Sequence, residues 1–97
     1  MNLRSRIDVK NEVWYVYILE CRDGTLYTGI TNDLTRRFAM HRRKLGGSYT
    51  RAHGVKRISY FERTSSRSAA LTREHEIKQM SRASKLALIR TIKSTKK

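Results

Sequence analysis

Residues 14–31 read WYVYILECRDGTLYTGIT, and this stretch decides the fold. Its first half, Val13 to Glu20, is dense in β-branched and aromatic residues, which favour a strand. Arg22-Asp23-Gly24-Thr25 has the composition of a turn. Leu26 to Ile30 then reads as a returning strand, so the sequence predicts a β-hairpin.

The length of the hairpin loop decides where two tyrosines point. If Asp23-Gly24 forms a two-residue turn, Tyr17 and Tyr27 lie on opposite faces of the hairpin. If Arg22-Asp23-Gly24 forms a three-residue loop with Gly24 in the left-handed region, the register slips by one and both tyrosines share a face. We predict the three-residue loop, because a joint site needs both tyrosines on one face.

Caps and apolar periodicity predict the remaining elements. Thr31 or Asn32 can cap a helix from Asp33 to about Lys44. Leu34, Phe38 and Leu45 then share one face of that helix. The later pattern predicts an irregular basic loop over residues 48–56, a strand over residues 57–63, a serine-capped helix to about residue 80, and a last helix over residues 83–92. The element order β-β-α-β-α-α predicts an α+β fold.

Two charged or titratable side chains of the first helix are placed beside its apolar stripe. Arg37 and His41 flank the stripe, whereas Arg36 and Arg43 point away from it at about 100° per residue. Arg37 is therefore expected at the edge of the core.

The second long helix presents one acidic residue to the core. Ala70, Glu74 and Ile77 recur at helical spacing and form one stripe. Glu74 is therefore predicted to face inward, while Glu76 falls off the stripe and should be solvated.

The charge of the chain indicates a polyanionic partner. The 97 residues carry 22 Lys+Arg against 8 Asp+Glu, a net charge of +14. Such a charge repels itself in a compact fold, and nucleic acid is its commonest partner. The length suits one domain. We assign it to residues 13–92, between a flexible arm at residues 1–12 and a basic tail at residues 93–97.

Several other classes of protein are disfavoured. No stretch of 18 apolar residues could span a membrane, and residues 1–12 lack the apolar segment of a secretory signal. Cys21 has no partner for an internal disulfide and reads as a small core residue in a reducing compartment. Neither zinc-ligand spacing nor a glycine-rich nucleotide loop is present, so no small-molecule cofactor is expected. We expect a cytoplasmic, nucleoid-associated protein.

Phosphodiester hydrolysis uses the side-chain types that recur here. A single carboxylate such as Glu74 can hold Mg²⁺ together with phosphate oxygens, and Arg37 can grip a phosphate with two parallel hydrogen bonds. Tyr17 or Tyr27 could act as a base if cations lower its pKa from about 10. His41, one turn from Arg37, could relay a proton or orient a tyrosine.

Each candidate also has a plainer interpretation. Tyrosines mostly pack in cores and rims, and an arginine or histidine on a helix is usually solvated or a cap. Glu74 could simply pair with Arg73 or Lys78 on its own helix. Composition and spacing alone therefore reach only a small, basic, nucleic-acid-binding domain with candidate catalytic residues.

The candidates follow one another in a familiar order. Val16-Tyr17-Ile18, Tyr27-Thr28-Gly29-Ile30-Thr31 and Leu34-x-x-Arg37-x-x-x-His41 together resemble the GIY-YIG nuclease domain. Ala70-x-x-Arg73-Glu74-x-x-Ile77-Lys78 and the later Ser81-Arg82-x-x-Lys85-x-x-Leu88-Ile89 are similar to its small single-domain YhbQ/YazA-like branch. The resemblance covers most of the chain. It implies a small mixed sheet of three strands flanked by helices, and Mg²⁺- or Mn²⁺-dependent cleavage of DNA.

The resemblance also implies residue roles. Tyr17 and Tyr27 would lie beside the attacking water, and one of them would be the general base; which one is left open. Arg37 would hold the scissile phosphate, His41 would assist a tyrosine, and Glu74 would bind the metal. The expected DNA-binding surface consists of Arg36, Arg42, Arg43 and Arg51.

Two main hypotheses follow. The leading one is a monomeric DNA endonuclease in repair, recombination or processing, with branched or damaged DNA as candidate substrates. The alternative is a DNA- or RNA-binding protein that keeps the fold without turnover and binds through phosphates with steep salt dependence.

The family's pattern is also incomplete: Val55 replaces an expected proline, and the asparagine that many larger members carry after the metal-binding glutamate has no clear counterpart.

Overall fold

The computed structural model describes the backbone of residues 13–95 and the side chains of residues 13–92. The expected arm at residues 1–12 lies outside this part of the chain. The strands are β1 (Trp14–Cys21), β2 (Leu26–Thr31) and β3 (Val55–Thr64), and the helices are α1 (Leu34–Arg42), α2 (Ser48–His53), α3 (Arg67–Lys78) and α4 (Arg82–Thr95). The predicted α+β class is confirmed.

The central strand of the sheet is β1, which lies between β2 and β3. It pairs antiparallel with both neighbours, so that Tyr17 lies opposite Gly29 on one side and Phe61 on the other. The expectation of a mixed sheet is therefore wrong. β3 runs parallel to β2, but the sheet is mixed only where parallel strands are neighbours, and β1 separates these two.

The hairpin loop has the predicted three residues. The Cys21 N–H donates to the Thr25 carbonyl at 2.8 Å, and the Gly24 N–H donates to the Cys21 carbonyl at 3.0 Å. Gly24 has φ +89°, a conformation that glycine adopts without steric cost. This loop pairs Tyr27 with Leu19. Side chains alternate along β1, so Tyr17, Leu19 and Tyr27 share a face, as predicted.

One face of the sheet is covered by α3 and α4. Val16 and Ile18 of β1 pack with Ala70 and Ile77 of α3 and with Ile89 of α4. These side chains are buried, and for Ala70 and Ile77 this confirms the predicted inward stripe of α3. Burial of this apolar face is the main driving force that holds α3 and α4 to the sheet.

The opposite face carries the tyrosines and is covered by α1. Tyr17, Leu19 and Val55 form its buried cluster, against which Leu34 and Phe38 of α1 pack. Leu45, expected on the same stripe, is instead 61% exposed. The helix ends at Arg42, and a positive φ at Lys44 turns the next residues away from the helical path.

Several elements differ from those predicted, beginning with α1, whose N-cap is Asp33 and not Thr31 or Asn32. α2 occupies part of the expected loop, bracketed by Gly47 and Gly54, both of which have positive φ. β3 begins at Val55 and ends at Thr64, longer than the predicted strand over residues 57–63. α4 runs to Thr95, so the first three residues of the expected tail are helical.

α3 is capped and anchored by polar contacts. Ser66 accepts a hydrogen bond from the Ala69 N–H and caps the helix, as its sequence position suggested. Arg73 donates from Nε and Nη2 to the carboxylate of Glu62 on β3, at 2.9–3.0 Å. Glu74 is then turned inward at 18% side-chain exposure, against 55% for Glu76. Both placements confirm the helical periodicity.

We found no helix in the described part of the chain that is long and apolar enough to cross a membrane.

The packing of α3 predicts a clear difference between two substitutions on that helix. Ile77→Ala removes a fully buried side chain and should lower the free energy of unfolding by about 2–5 kcal/mol, because it leaves a cavity. Leu71→Ala, at a residue 39% exposed, should cost about 1 kcal/mol or less. Urea denaturation measures both values. Equal losses would contradict this description of the core.

Candidate active site

Tyr17 and His41 form the buried centre of the candidate site. Tyr17 is carried by β1 and His41 by the last turn of α1, and their side chains meet where α1 crosses the tyrosine face of the sheet. The Tyr17 hydroxyl lies 3.0 Å from His41 Nε2. Tyr17 is 2% exposed and His41 1%. Two residues 24 positions apart, both singled out in the sequence, are thus in direct contact.

Thr50 holds the other nitrogen of the His41 ring. Its Oγ1 lies 2.8 Å from His41 Nδ1, and the side chain is buried in α2. Sequence reasoning missed Thr50 because its segment was expected to be a loop.

Two glycines make room for these rings. A Cβ on Gly29 would lie 2.5 Å from the Tyr17 hydroxyl oxygen and 3.2 Å from the Tyr27 ring. A Cβ on Gly46 would collide with the His41 imidazole. Neither glycine has a positive φ. Glycine is needed at both positions because a ring approaches the backbone closely, and not because of the backbone conformation. The glycine of the Tyr27-Thr28-Gly29 tripeptide is thus explained by the packing of Tyr17.

Tyr27 joins the site through its ring. Its centroid lies 6.4 Å from that of Tyr17 and 5.4 Å from that of His41. On the outer side it stacks on Tyr49 at 5.6 Å, and Tyr49 stacks on His53 at 4.2 Å. Sequence analysis singled out neither Tyr49 nor His53. Both lie on α2, which covers the tyrosines.

Arg37 borders the site, half-buried on α1 as predicted. Its Nη2 donates to the carbonyl of Gly46 at 2.7 Å. The guanidinium is also close enough to Tyr17 to act on the pKa of its hydroxyl. A groove of about 300 Å³ opens beside it. Its lining residues are Trp14, Ile30, Thr31, Asn32, Asp33, Arg36, Arg37 and Met40.

Burial keeps the central pair neutral. Desolvation raises the pKa of Tyr17 to about 12, although the hydrogen bond and charge of Arg37 act in the opposite direction. The effect of Arg37 was expected, but burial outweighs it. Desolvation, together with the charge of Arg37, lowers the pKa of His41 to about 4. At neutral pH a phenol therefore faces a neutral imidazole.

Glu74 approaches the site from α3. Its negative charge is close enough to contribute to the raised pKa of Tyr17, after the larger effects of burial and Tyr27. Its Oε2 also pairs with Lys78 Nζ at 3.3 Å, one turn along the helix. Within residues 13–92, no group of three His, Cys, Asp or Glu side chains could enclose a metal ion. A single carboxylate fits a hard cation that takes its remaining ligands from water and phosphate.

The four arginines expected to bind DNA are exposed around this site. Arg36 lies at the groove beside Arg37, and Arg42 lies over the Phe38 ring at 5.8 Å. Arg43 caps the C-terminus of α1, and Arg51 lies on α2. The helices that carry Arg37, His41 and Thr50 therefore also carry these cations.

Comparison with known proteins identifies the family of this chain. Residues 13–87 match the model of the GIY-YIG catalytic domain. The chain belongs to the GIY-YIG family. A UPF0213 protein of Natronomonas pharaonis is 49% identical over 75 residues, covering 77% of this chain and 88% of that protein. One from Desulfotalea psychrophila is 41% identical over 91 residues, covering 93% and 83%. These relatives place the chain in the UPF0213 group of small GIY-YIG proteins.

A solved structure supports the fold of this GIY-YIG chain. The solution NMR structure of a UPF0213 protein from Bacillus halodurans is 40% identical in sequence and aligns with a TM-score of 0.53. The alignment covers 81% of this chain and 84% of that one.

Burial of neutral His41 predicts acid destabilisation of this GIY-YIG domain. The pKa of His41 is about 4 in the folded protein and 6.5 in an unperturbed histidine, so between these values only the unfolded chain binds the proton. Stability is therefore lost as pH falls through this window, by about 3 kcal/mol in total. The His41→Gln variant should not show this loss of stability, although its carboxylates titrate as they do in the parent protein. Urea denaturation of both proteins at pH 7 and pH 4 tests this, and equal losses would contradict it.

Proposed function

We propose that this GIY-YIG chain is a metal-dependent endonuclease that hydrolyses phosphodiester bonds of DNA. The observation that carries the proposal is the meeting of Tyr17, His41 and Arg37, with Tyr27 in ring contact with the first two. The charge of Glu74, on α3, acts on the same tyrosine. A buried neutral acid–base pair beside a cation and a carboxylate suits hydrolysis of an anionic ester.

Arg37 would hold the scissile phosphate. Its guanidinium is anchored at Nη2 by the Gly46 carbonyl, which fixes its direction. The anchor leaves other N–H donors for phosphate oxygens, and a guanidinium can bind two of them at once. The neighbouring groove gives a phosphate room to approach, with Arg36 on the same wall.

Tyr17 and His41 would move the proton of the attacking water. Neither group is charged at neutral pH, so the water proton passes to the Tyr17 oxygen as the Tyr17 proton passes to His41 Nε2, 3.0 Å away. Charge on Tyr17 never has to persist in its buried position. The hydrogen bond to His41 favours Tyr17 for this step, and Tyr27 then packs beside the reacting atoms.

Glu74 would hold the metal, Mg²⁺ or Mn²⁺. When bound, such an ion neutralises phosphate charge and stabilises the leaving oxygen. Binding requires Glu74 to exchange its pairing with Lys78, whose side chain is 52% exposed, for the ion. An i,i+4 pair on a helix contributes only about 0.2–0.5 kcal/mol.

The cationic rim would bind the DNA backbone. Arg36, Arg42, Arg43 and Arg51 are exposed on α1, α2 and the residue after α1, around the proposed scissile phosphate. This surface suits a monomer that contacts DNA mainly through phosphates.

We extend the proposal to DNA repair, recombination or processing at the nucleoid. Cleavage of branched against linear duplex DNA in the assay below tests that extension, and equal rates would count against it.

Non-catalytic nucleic-acid binding is the second candidate. The pairing of Glu74 with Lys78 favours it, because this ion pair engages the only proposed metal ligand. The two functions differ in a single measurable property, which is metal-dependent strand cleavage.

Two glutamates on α3 give a matched test of catalysis. Glu74→Gln removes the proposed ligand at constant shape and should reduce nicking of supercoiled DNA in Mg²⁺ by about 100-fold or more, because transition-state charge loses its counterion. Glu76→Gln removes a carboxylate that is 55% exposed and pairs with Arg73, so its nicking rate should stay near that of the parent protein. Nicking by Glu74→Gln at the parent rate would overturn the proposal. Salt-sensitive binding without nicking by the parent protein would establish the second candidate.

The cationic rim predicts a change in salt dependence. Replacing Arg43 and Arg51 together by Ala should weaken DNA binding and reduce the slope of log K against log salt by about 1 for each lost phosphate contact. Arg90→Ala is the control, because Arg90 is equally exposed but lies on α4, across the sheet. Fluorescence anisotropy over a salt series measures the slopes. An equal effect of Arg90→Ala would contradict the assignment.

A further inference from the structure

We propose that Thr50 is a positioning residue, which holds His41 in the tautomer with its proton on Nδ1 and so leaves Nε2 free to accept the proton of Tyr17. The inference rests on the proposed function for its catalytic consequence. Its structural part, the tautomer, stands on hydrogen bonding alone.

The donors around Tyr17 decide which way its own proton points. Its hydroxyl has one proton to give and a lone pair to offer. The guanidinium of Arg37, whose charge acts on Tyr17, has only donors and so offers the Tyr17 proton no acceptor. The acceptor within hydrogen-bonding distance is His41 Nε2, at 3.0 Å. If Nε2 carried a proton instead, it would donate to the phenol oxygen, and the buried Tyr17 proton would be left without this acceptor.

Thr50 completes the chain on the far side of the ring. A neutral imidazole carries one N–H, and with Nε2 accepting, that N–H is on Nδ1. Thr50 Oγ1 is 2.8 Å from Nδ1 and can accept it. Both residues are 1% exposed, so bulk water does not replace this bond. A buried N–H without a partner keeps the full cost of losing its water, so the tautomer that gives every proton an acceptor is preferred.

The packing of the ring leaves this arrangement little freedom. Gly46 lies so close to the His41 ring that no Cβ would fit between them. Thr50 is held in α2, whose end is closed by the Gly54 N–H donating to the Thr50 carbonyl at 2.9 Å. The preceding Tyr49 stacks on Tyr27, so one short helix positions partners for two site residues.

The role of Thr50 grows when His41 takes up the proton. Both ring nitrogens of the imidazolium are donors, with Nε2–H directed to Tyr17 and Nδ1–H to Thr50. Hydrogen bonds to a charged group are about twice as strong as neutral ones. Loss of the Thr50 hydroxyl should therefore lower kcat and leave KM unchanged, because only the proton-transfer step uses it.

The tautomer is observed directly by NMR of the full chain labelled with ¹⁵N in its histidines. Ring nitrogen shifts and couplings should show His41 with Nδ1 protonated and Nε2 bare, both in the parent protein and in Thr50→Ser, which keeps the hydroxyl. Thr50→Val keeps the shape and loses the acceptor, so the Nε2–H tautomer should gain population. A parent protein with Nε2 protonated, or an unchanged tautomer in Thr50→Val, would overturn the inference.

Nuclease kinetics on supercoiled DNA with Mg²⁺ test the catalytic part. Thr50→Val should lose about 10- to 100-fold in kcat at constant KM, and Thr50→Ser should recover most of it. Parent-like turnover by Thr50→Val would overturn the positioning role. A parent protein that shows the Nδ1–H tautomer but never cleaves would instead refute the proposed function. The spectrum of the parent protein decides the tautomer even if Thr50→Val does not fold.

Discussion

The bond from the Cys21 N–H to the Thr25 carbonyl closes a three-residue loop, and the site depends on the register that this loop sets. A loop one residue shorter would turn Tyr27 to the face covered by α3 and α4. With the observed register, Gly29 lies opposite Tyr17 and leaves space for its ring and hydroxyl. The position of the tyrosine oxygen, and therefore its contact with His41, follows from a loop that begins at Arg22, where β1 ends.

The site combines a dry centre with a charged border. Tyr17, His41 and Thr50 are almost wholly buried and connected by hydrogen bonds, so each polar atom of the His41 ring has a partner. Arg37 and Glu74 supply charge at the border, where a phosphate and a cation can reach them. Burial gives the central pair pKa values far from neutrality in both directions, which favours a proton shared along the chain over a charge held on one residue.

The inward Glu74 and outward Glu76 were predicted correctly because they have a local cause, the helical periodicity of a helix with a clear serine cap. The three-residue loop was predicted on a functional argument, because a joint site needs both tyrosines on one face, and Gly24 allows it with a positive φ. Leu45 was misplaced because periodicity carries no information on where α1 ends. α2 was missed because six residues between glycines are too short for an apolar pattern. Thr50 was missed together with α2, because its importance to the site comes from a contact with His41 that only the tertiary fold creates.

The order of the strands in the sheet could not be predicted from local sequence patterns either. β3 returns beside β1 and not beside β2. α1 packs on the tyrosine face of the same sheet, over Tyr17. A crystal structure of the Tyr17→Phe protein with a short DNA duplex and Mn²⁺ would test the central claim most directly. We expect one backbone phosphate within hydrogen-bonding distance of Arg37, with Mn²⁺ bound between that phosphate and Glu74. DNA bound elsewhere on the basic surface, with Glu74 still paired to Lys78, would contradict the account.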